Sequence, residues 1–503
     1  MVRKTDILII GGGINGVGIA LDAAGRGLNV VLCEQHDLAS GTSSASTKLI
    51  HGGLRYLEYY QFGLVRESLQ EREILLRKAP HIIHPLSFIM PYQPHLRPYW
   101  LIRLGLFLYD HLSKRKLLPR SRAISFAKQP FTAILQQQLI KGFSYADCWV
   151  DDARLVVLNA LAAHQKGATI LTRTEFIDAK REQHHWQAQL KQTETGEITT
   201  IQAKAIVNAA GPWVEDVLQH RLNIQTNQHL TLVKGSHIVV PKLYEEPIAF
   251  LLQLTDKRII FVIPFQDHYS LIGTTDISYA GDLVNVIIDP EEINYLCQAV
   301  NRYFRKNIQA SDVVWSYSGV RPLKQDDAKN PSAVSREYEL QLNQTHNLAP
   351  LLSVFGGKIT TYRRLAEEAL HHFKPYFTDM GAAWTATALL PGGDIPKGDR
   401  QQFSEELLQH YPWLPKALVD RYVKSYGTLA RQFLQGATSL TDLGHDFGCG
   451  LYDKEVEYLL RQEWACTADD ILWRRTKLGL YFDDHHKKQL VIAVKNKLNN
   501  PIM

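Results

Sequence analysis

The chain has 503 residues, enough for two or more domains, and its 45% hydrophobic and 21% charged residues are the balance of an ordinary folded protein. A net charge of +5 is too mild to argue for nucleic acid as a partner. Five scattered cysteines with no CxxC pair argue against a zinc site or a disulfide framework, and no apolar run reaches the ~18 residues of a membrane-spanning helix.

The opening "MVRKTD" leads straight into the strand-like "ILII", without a signal-peptide apolar block or an Arg-rich transit segment, so a cytoplasmic location is expected. The stretch "DILIIGGGINGVGIALDAAGRGLNVVLCE" then reads as strand, tight turn, helix and strand. Gly11, Gly13 and Gly16 fall in the GxGxxG spacing of a dinucleotide cradle, which needs a tight turn, close backbone approach to a pyrophosphate and close helix–strand packing. The helix is expected from about Asn15 to Arg26, with an anion at its N-terminus. Glu34 ends the second strand ~20 residues beyond the motif, the place of an acid that binds an unphosphorylated ribose. That favours NAD or FAD over NADP and does not choose between the two.

Next comes "QHDLASGTSSASTKLIHGGLRYLE", rich in small hydroxyl residues and glycines, which reads either as a solvated loop or as a loop laid along a long cofactor. "PHLRPYWLIRLGLFLYDHLSKRK" (94–116) combines Trp100, Leu101, Leu104, Phe107 and Leu108 with Arg103, Lys114, Arg115 and Lys116. It fits an interfacial helix on a membrane and equally a buried helix with a basic end. "AKAIVNAAGPWVEDV" is a strand ending in a small-residue turn, while "HIVVP", "RIIFVIPF" and "YSLIGTTD" are short apolar runs expected as strands. After the linker-like "PGGDIPKGDR", helical spacing dominates from about Gln401 onward.

Taken together, "GGGINGVGIALDAAGRGL", "TSSASTKLIHGGLRYLE", "GFSYADCWVDDARLV", "NAAGPW", "KGSHIVVP", "IGTTD", "YSGVRPL", "LLSVFGGKITTYRRLAE" and "ADDILWRRTKLG" span Gly11 to Gly479. On these motifs the chain resembles the bacterial FAD-dependent glycerol-3-phosphate dehydrogenases, within the D-amino-acid-oxidase-like flavoproteins. The resemblance implies an α/β (α+β) fold: a Rossmann-like FAD domain with an inserted antiparallel-sheet substrate domain and a C-terminal helical domain. FAD segments are expected at about 1–80, 145–230 and 310–380, substrate segments at about 81–144 and 231–309, and the helical domain at 391–503.

The implied reaction is oxidation of sn-glycerol 3-phosphate to dihydroxyacetone phosphate, with hydride passing from C2 to flavin N5 and electrons going on to a quinone at the inner face of the cell membrane. A dianionic substrate calls for fixed arginines, whose fork matches phosphate. Arg55 and Arg321 occupy the family motifs. His237 and His51 are candidates for the base, with Lys358 a third or a charge supporting the reduced flavin or the phosphate. Around FAD the expectation is Gly11, Gly13, Asn15 and Gly16 at the pyrophosphate and Glu34 at the ribose. Thr42, Ser43 and Ser44 would lie along the cofactor, Gly211 and Trp213 on the second wall, and Gly357, Lys358 and Thr360 at the last turn. No metal is expected, and a homodimer is compatible with the sequence. The rival readings are a soluble oxidase that uses oxygen and a flavin-binding scaffold without turnover.

Overall fold

The computed structural model describes residues 3–256, 258–324, 337–344 and 348–499. Its first sheet is built around five parallel strands in the order Leu351–Phe355, Ile198–Asn208, Arg3–Ile10, Val30–Cys33, Thr169–Leu171. Strand Arg3–Ile10 reads as an unbroken apolar run because both faces of the sheet are covered. Ile7 and Ile9 point into the layer of helices Ile14–Gly25, Asp152–Gln165 and Tyr362–Phe373. Leu8 and Ile10 point the other way, onto the hairpin of Thr174–Arg181 and Trp186–Gln192. The chain leaves the first strand toward Val30–Cys33 and only much later returns to its other side at Ile198–Asn208. Such a reversal opens a crevice beyond the carboxyl ends of the strands, where dinucleotides bind in sheets of this kind.

The second sheet runs Ile277–Ser278, Leu230–Pro241, Tyr269–Gly273, Ile259–Phe265, Ile248–Gln253, Ile83–Pro91, Lys141–Val150, Leu49–Ile50. It is antiparallel except where Ile248–Gln253 lies parallel to Ile83–Pro91. One expected segment boundary falls inside a strand of this sheet, and one strand expected in an FAD segment joins it. Lys141–Val150, which straddles position 145, pairs along its whole length with Ile83–Pro91. Trp315–Lys324, expected in an FAD segment, pairs with Leu230–Pro241. The reason is register: His237 sits opposite Tyr317, and Gly235 opposite Gly319, which brings the "KGSH" and "YSGVR" motifs side by side over the crevice.

Beyond Phe355 no further sheet strand occurs among the described residues, and the C-terminal part is helical, with its longer helices at Arg400–His410, Lys416–Tyr426, Asp453–Gln462 and Asp484–Asn499. It docks through ion pairs that the interface removes from water. Arg475 meets Asp37 at 2.8 Å, Arg154 forks onto Glu463, and Lys477 reaches Asp151 at 3.3 Å. Helix Tyr99–His111 has apolar residues on both its inner and outer sides, and its buried residues are Leu106, Tyr109 and Asp110. Trp100, Leu101, Leu104 and Phe107 stand outward, 67%, 44%, 46% and 51% exposed.

Candidate active site

A cavity of about 570 Å³ runs from the crevice of the first sheet to the inner face of the second. The sequence folds the crevice end as expected. Helix Ile14–Gly25 begins one residue earlier than the spacing suggests, with Gly13 as its N-cap and no acid in its first turn. Its positive end therefore stays open to an anion. Gly13, Ile14 and Asn15 line the cavity. Gly16 does not: a Cβ there would stand 2.0 Å from the Gly11 carbonyl oxygen, so this glycine serves close packing within the turn rather than pyrophosphate contact. Glu34 lines the cavity and accepts the N–H groups of Gly12 at 2.7 Å and His36 at 2.9 Å. Burial raises its pKa against the lowering effect of those two bonds.

The hydroxyl-rich loop is stapled across the crevice. Ser43 Oγ accepts the Ile14 N–H at 3.0 Å, and Thr42 Oγ1 donates to the Val320 carbonyl at 2.6 Å. Both residues line the cavity, but the Thr42 hydroxyl is spent on strand Trp315–Lys324. Ser44 faces a smaller neighbouring hollow instead, so it departs from the expected row. Gly211 and Trp213 form the opposite wall, and Gly356, Gly357, Lys358 and Thr360 close the end, where a short turn at Ile359–Thr361 leads into helix Tyr362–Phe373. The residues present fit a dinucleotide. The helix end is uncapped by any acid, the glycine turn approaches the crevice with bare backbone, and Asn15 Oδ1 is buried in the wall without a hydrogen-bond partner among the described residues while its Nδ2 donates to Gly356 O at 3.2 Å.

At the other end His51, Arg55, His237, Arg321 and Lys358 all reach the same cavity. Arg321 is clamped by Asp276 at 2.7 Å, Thr274 Oγ1 at 3.1 Å and the Thr275 carbonyl at 3.0 Å. It lies flat on Gly235, where a Cβ would come within 2.1 Å of Nη2. Arg55 approaches the other oxygen of Asp276 at 4.0 Å and Tyr59 Oη at 3.4 Å. Lys358 Nζ stands over the Tyr56 ring, 4.0 Å from its centroid. His237 is buried, stacks on Tyr317 and shares a 3.0 Å hydrogen bond between Nε2 and Thr47 Oγ1. Burial first, then the Lys48 and Arg321 charges, push its pKa well below the usual imidazole value, so the ring is neutral at physiological pH. Gly273 makes the space for that ring, since a Cβ would stand 2.1 Å from His237 Cδ2.

The turn carrying His51 and Arg55 is held from beneath. Gly52 N–H donates to Tyr109 Oη at 2.8 Å, Tyr109 donates to Asp147 at 2.7 Å, and Arg72 pairs with Asp147 at 2.5 Å. Asp276, Gly235, Gly273, Thr47 and the Tyr109–Asp147–Arg72 support shape this end of the cavity, and motif reading did not single them out. "IGTTD" and "KGSH" contained three of them, but spacing within one strand does not reveal what the neighbouring strand brings.

The comparisons with known proteins agree with this architecture. Residues 6–363 match the FAD-dependent oxidoreductase family, and 383–497 match the C-terminal domain of alpha-glycerophosphate oxidase. The chain is 52% identical over 485 residues to a glycerol-3-phosphate dehydrogenase of Pseudomonas aeruginosa, covering 96% of this chain and 94% of the relative. It is 49% identical to the aerobic glycerol-3-phosphate dehydrogenase of Escherichia coli, covering 96% and 95%. It is also 52% identical to a D-erythritol 1-phosphate dehydrogenase of Brucella abortus, covering 97% of both. Among solved structures, a Bacillus halodurans glycerol-3-phosphate dehydrogenase complexed with FAD superposes with a TM-score of 0.74 at 27% identity, covering 100% of this chain and 96% of that one. Crevice, glycine turn, helical C-terminal domain and full-length kinship converge: the chain belongs to the FAD-dependent oxidoreductases.

Proposed function

We propose that this enzyme is an FAD-dependent glycerol-3-phosphate dehydrogenase that oxidises sn-glycerol 3-phosphate to dihydroxyacetone phosphate and passes the electrons to a quinone. The observation that carries the reading is the grouping of Arg55, Arg321 and Lys358 beside neutral His237 on the cavity wall facing the dinucleotide cradle. FAD, when bound, supplies the hydride acceptor at flavin N5. Gly11, Gly13 and Asn15 would hold its pyrophosphate, Glu34 its ribose, and Gly357, Lys358 and Thr360 the far end.

The chain's own residues do the rest. Arg55 and Arg321 receive the phosphate, whose dianion suits paired guanidinium forks. His237, held neutral by burial, takes the C2 hydroxyl proton as hydride leaves the same carbon. Lys358 keeps positive charge where negative charge gathers during reduction. His51 is the alternative base.

The test is anaerobic mixing of the yellow protein with sn-glycerol 3-phosphate while the visible flavin band is followed. Bleaching that a quinone analogue reverses, and oxygen reverses only slowly, is the expected result. Rapid recovery with oxygen would make the enzyme an oxidase, and a band that does not bleach would overturn the substrate. The kinship with the erythritol-phosphate enzyme supports a second substrate reading. D-Erythritol 1-phosphate belongs in the same experiment, and the larger kcat/KM identifies the substrate.

The electrons' route suggests a surface. Helix Tyr99–His111 shows Trp100, Leu101, Leu104 and Phe107 to solvent, and Arg103, Lys114, Lys116, Arg120 and Arg122 are exposed on or near it. No helix among the described residues is long and apolar enough to cross a membrane. Such a face suits docking at the headgroup layer of an anionic membrane. The expected result is that a W100S/L104S/F107S variant no longer floats with anionic vesicles while still reducing its flavin in solution.

A further inference from the structure

We propose that Asp276 is a positioning residue that spaces Arg55 and Arg321 and sets the charge at their end of the cavity. This rests on the reading that the cavity takes a phosphate monoester. One carboxylate serves both arginines: Oδ1 accepts from Arg321 Nη1 at 2.7 Å, and Oδ2 stands 4.0 Å from Arg55 Nη1. Two guanidinium groups on one small wall repel each other, and a carboxylate between them turns that repulsion into a fixed spacing. The pair is well shielded from solvent, with Asp276 7%, Arg55 15% and Arg321 20% exposed at the side chain, so the interaction is weakly screened.

Charge bookkeeping points the same way. Arg55, Arg321 and Lys358 bring three formal positive charges to this end, and Asp276 cancels one. Asp147, on the same wall, is engaged by Arg72, and Lys48 behind it is engaged by Asp152. A wall rich in positive charge suits a phosphate monoester, which carries about −1.5 to −2 at pH 7. Without Asp276 the wall would hold any anion more tightly, but with the guanidinium groups no longer fixed for reaction.

Asp276 is delivered from a rigid base. Thr275 Oγ1 accepts the Ser236 N–H at 2.9 Å and donates to Glu292 at 2.6 Å. Glu292 in turn meets Lys234 at 2.9 Å, and Ser236 Oγ donates to it at 2.9 Å. Every member of this buried network is tied to another, which is how a supporting layer holds a site to the tolerance that catalysis needs.

The experiment uses D276N and D276E, both loaded with FAD, with two readouts. Calorimetric titration with inorganic phosphate reads the charge and needs no turnover, whereas steady-state kinetics with sn-glycerol 3-phosphate reads the positioning. The expected result for D276N is phosphate bound at least about threefold more tightly, kcat lowered about tenfold or more, and KM unchanged or lower. D276E restores the charge and returns phosphate affinity to the native value, with kcat recovering part of the way. Unchanged affinity and kcat in D276N would overturn the proposal. So would joint loss of affinity and kcat that D276E does not relieve, since that is the mark of a merely structural residue. If D276N does not retain FAD, D276S carries the same expectations. Native protein that binds phosphate but is not reduced by glycerol 3-phosphate would overturn the substrate reading and leave Asp276 its role; native protein that binds no phosphate would overturn both.

Discussion

His237 lies face-on against Tyr317, ring centroids 4.8 Å apart and planes 16° from parallel, and its Nε2 shares a 3.0 Å hydrogen bond with the Thr47 hydroxyl. Stacking fixes the plane of the imidazole and the hydroxyl fixes its rotation about that plane. Tyr317 is itself tied by its hydroxyl to the Ser46 carbonyl at 2.8 Å, one residue before Thr47. The two constraints therefore share an anchor.

A base must be unprotonated to act, and burial together with Lys48 and Arg321 keeps His237 so. The acid limb of kcat/KM is thus expected below the ordinary imidazole range rather than near pH 6.5. Replacing the ring in H237N should slow flavin reduction by about 10²–10⁴-fold, the usual worth of a positioned base. Stopped-flow reduction across pH checks both. If H237N reduces its flavin at the native rate and H51N does not, the base is His51.

Tyr109 connects the outward-facing helix Tyr99–His111 to the turn that carries His51 and Arg55. Its hydroxyl accepts the Gly52 N–H and donates to the buried Asp147. Y109F keeps the ring and removes both bonds. The Gly52 N–H retains only the longer 3.4 Å contact with Asp147. The expected cost is about 1–3 kcal/mol of stability, the worth of stranded buried polar groups, with a lowered kcat/KM as the turn loosens. Urea unfolding and kinetics on one preparation test it, and unchanged values in both would remove Tyr109 from the support.

Asp37, three residues beyond Glu34, locks the C-terminal helices to the dinucleotide cradle. It is fully buried and accepts from Arg475 at 2.8 and 2.9 Å and from Arg474 at 2.5 Å. D37N takes from the enclosed Arg475 guanidinium its nearest carboxylate and leaves it Glu463 at 3.8 Å; breaking a buried pair costs up to about 3–5 kcal/mol. Earlier thermal unfolding and weaker FAD retention should appear together, because the lock and Glu34, the acid proposed to hold the ribose, share one turn. Loss of stability with FAD affinity intact would show that the two are independent.

How much of this was legible depends on how local each cause is. Gly11 to Glu34 could be read directly, because strand, turn, helix and acid follow one another within a single supersecondary unit. For Gly16 the motif offered both close packing and pyrophosphate contact, and the 2.0 Å approach of the Gly11 carbonyl oxygen to a Cβ there supports the packing reason. Asp276 was not legible, since a carboxylate after "IGTT" looks like any surface turn until strand Trp315–Lys324 brings Arg321 beside it. Which sheet the strands Lys141–Val150 and Trp315–Lys324 join was not legible for the same reason, because sheet membership is decided by partners far away in sequence. Helix Tyr99–His111 could be recognised as a helix but not oriented. Its apolar residues cover both faces, and only packing shows that Leu106 and Tyr109 turn inward while Trp100 and Phe107 remain outside.

His81 makes the docking of the C-terminal helices sensitive to acid. The ring is 1% exposed, and neither nitrogen has a hydrogen-bond partner among the described residues. It faces Gly392, at the start of the helical domain, and Gly427, just after helix Lys416–Tyr426. Burial, with Arg154 and Arg400 adding repulsion, pushes its pKa down to about 3, and burial with Arg400 and Lys424 does the same to His84. In the unfolded chain both histidines titrate near 6.5. Above that value neither state binds the proton and stability does not change on their account. Between about pH 6.5 and 3 the unfolded chain takes up protons that the folded chain refuses, so stability falls as pH falls. The melting temperature should decline steadily below pH 6.5, and H81F should flatten the decline, with H81F/H84F flattening it further. The difference between the native and variant curves is the quantity to measure. Curves that stay parallel from pH 7.5 to 5 would mean that carboxylates elsewhere, and not these two rings, set the acid limit of the fold.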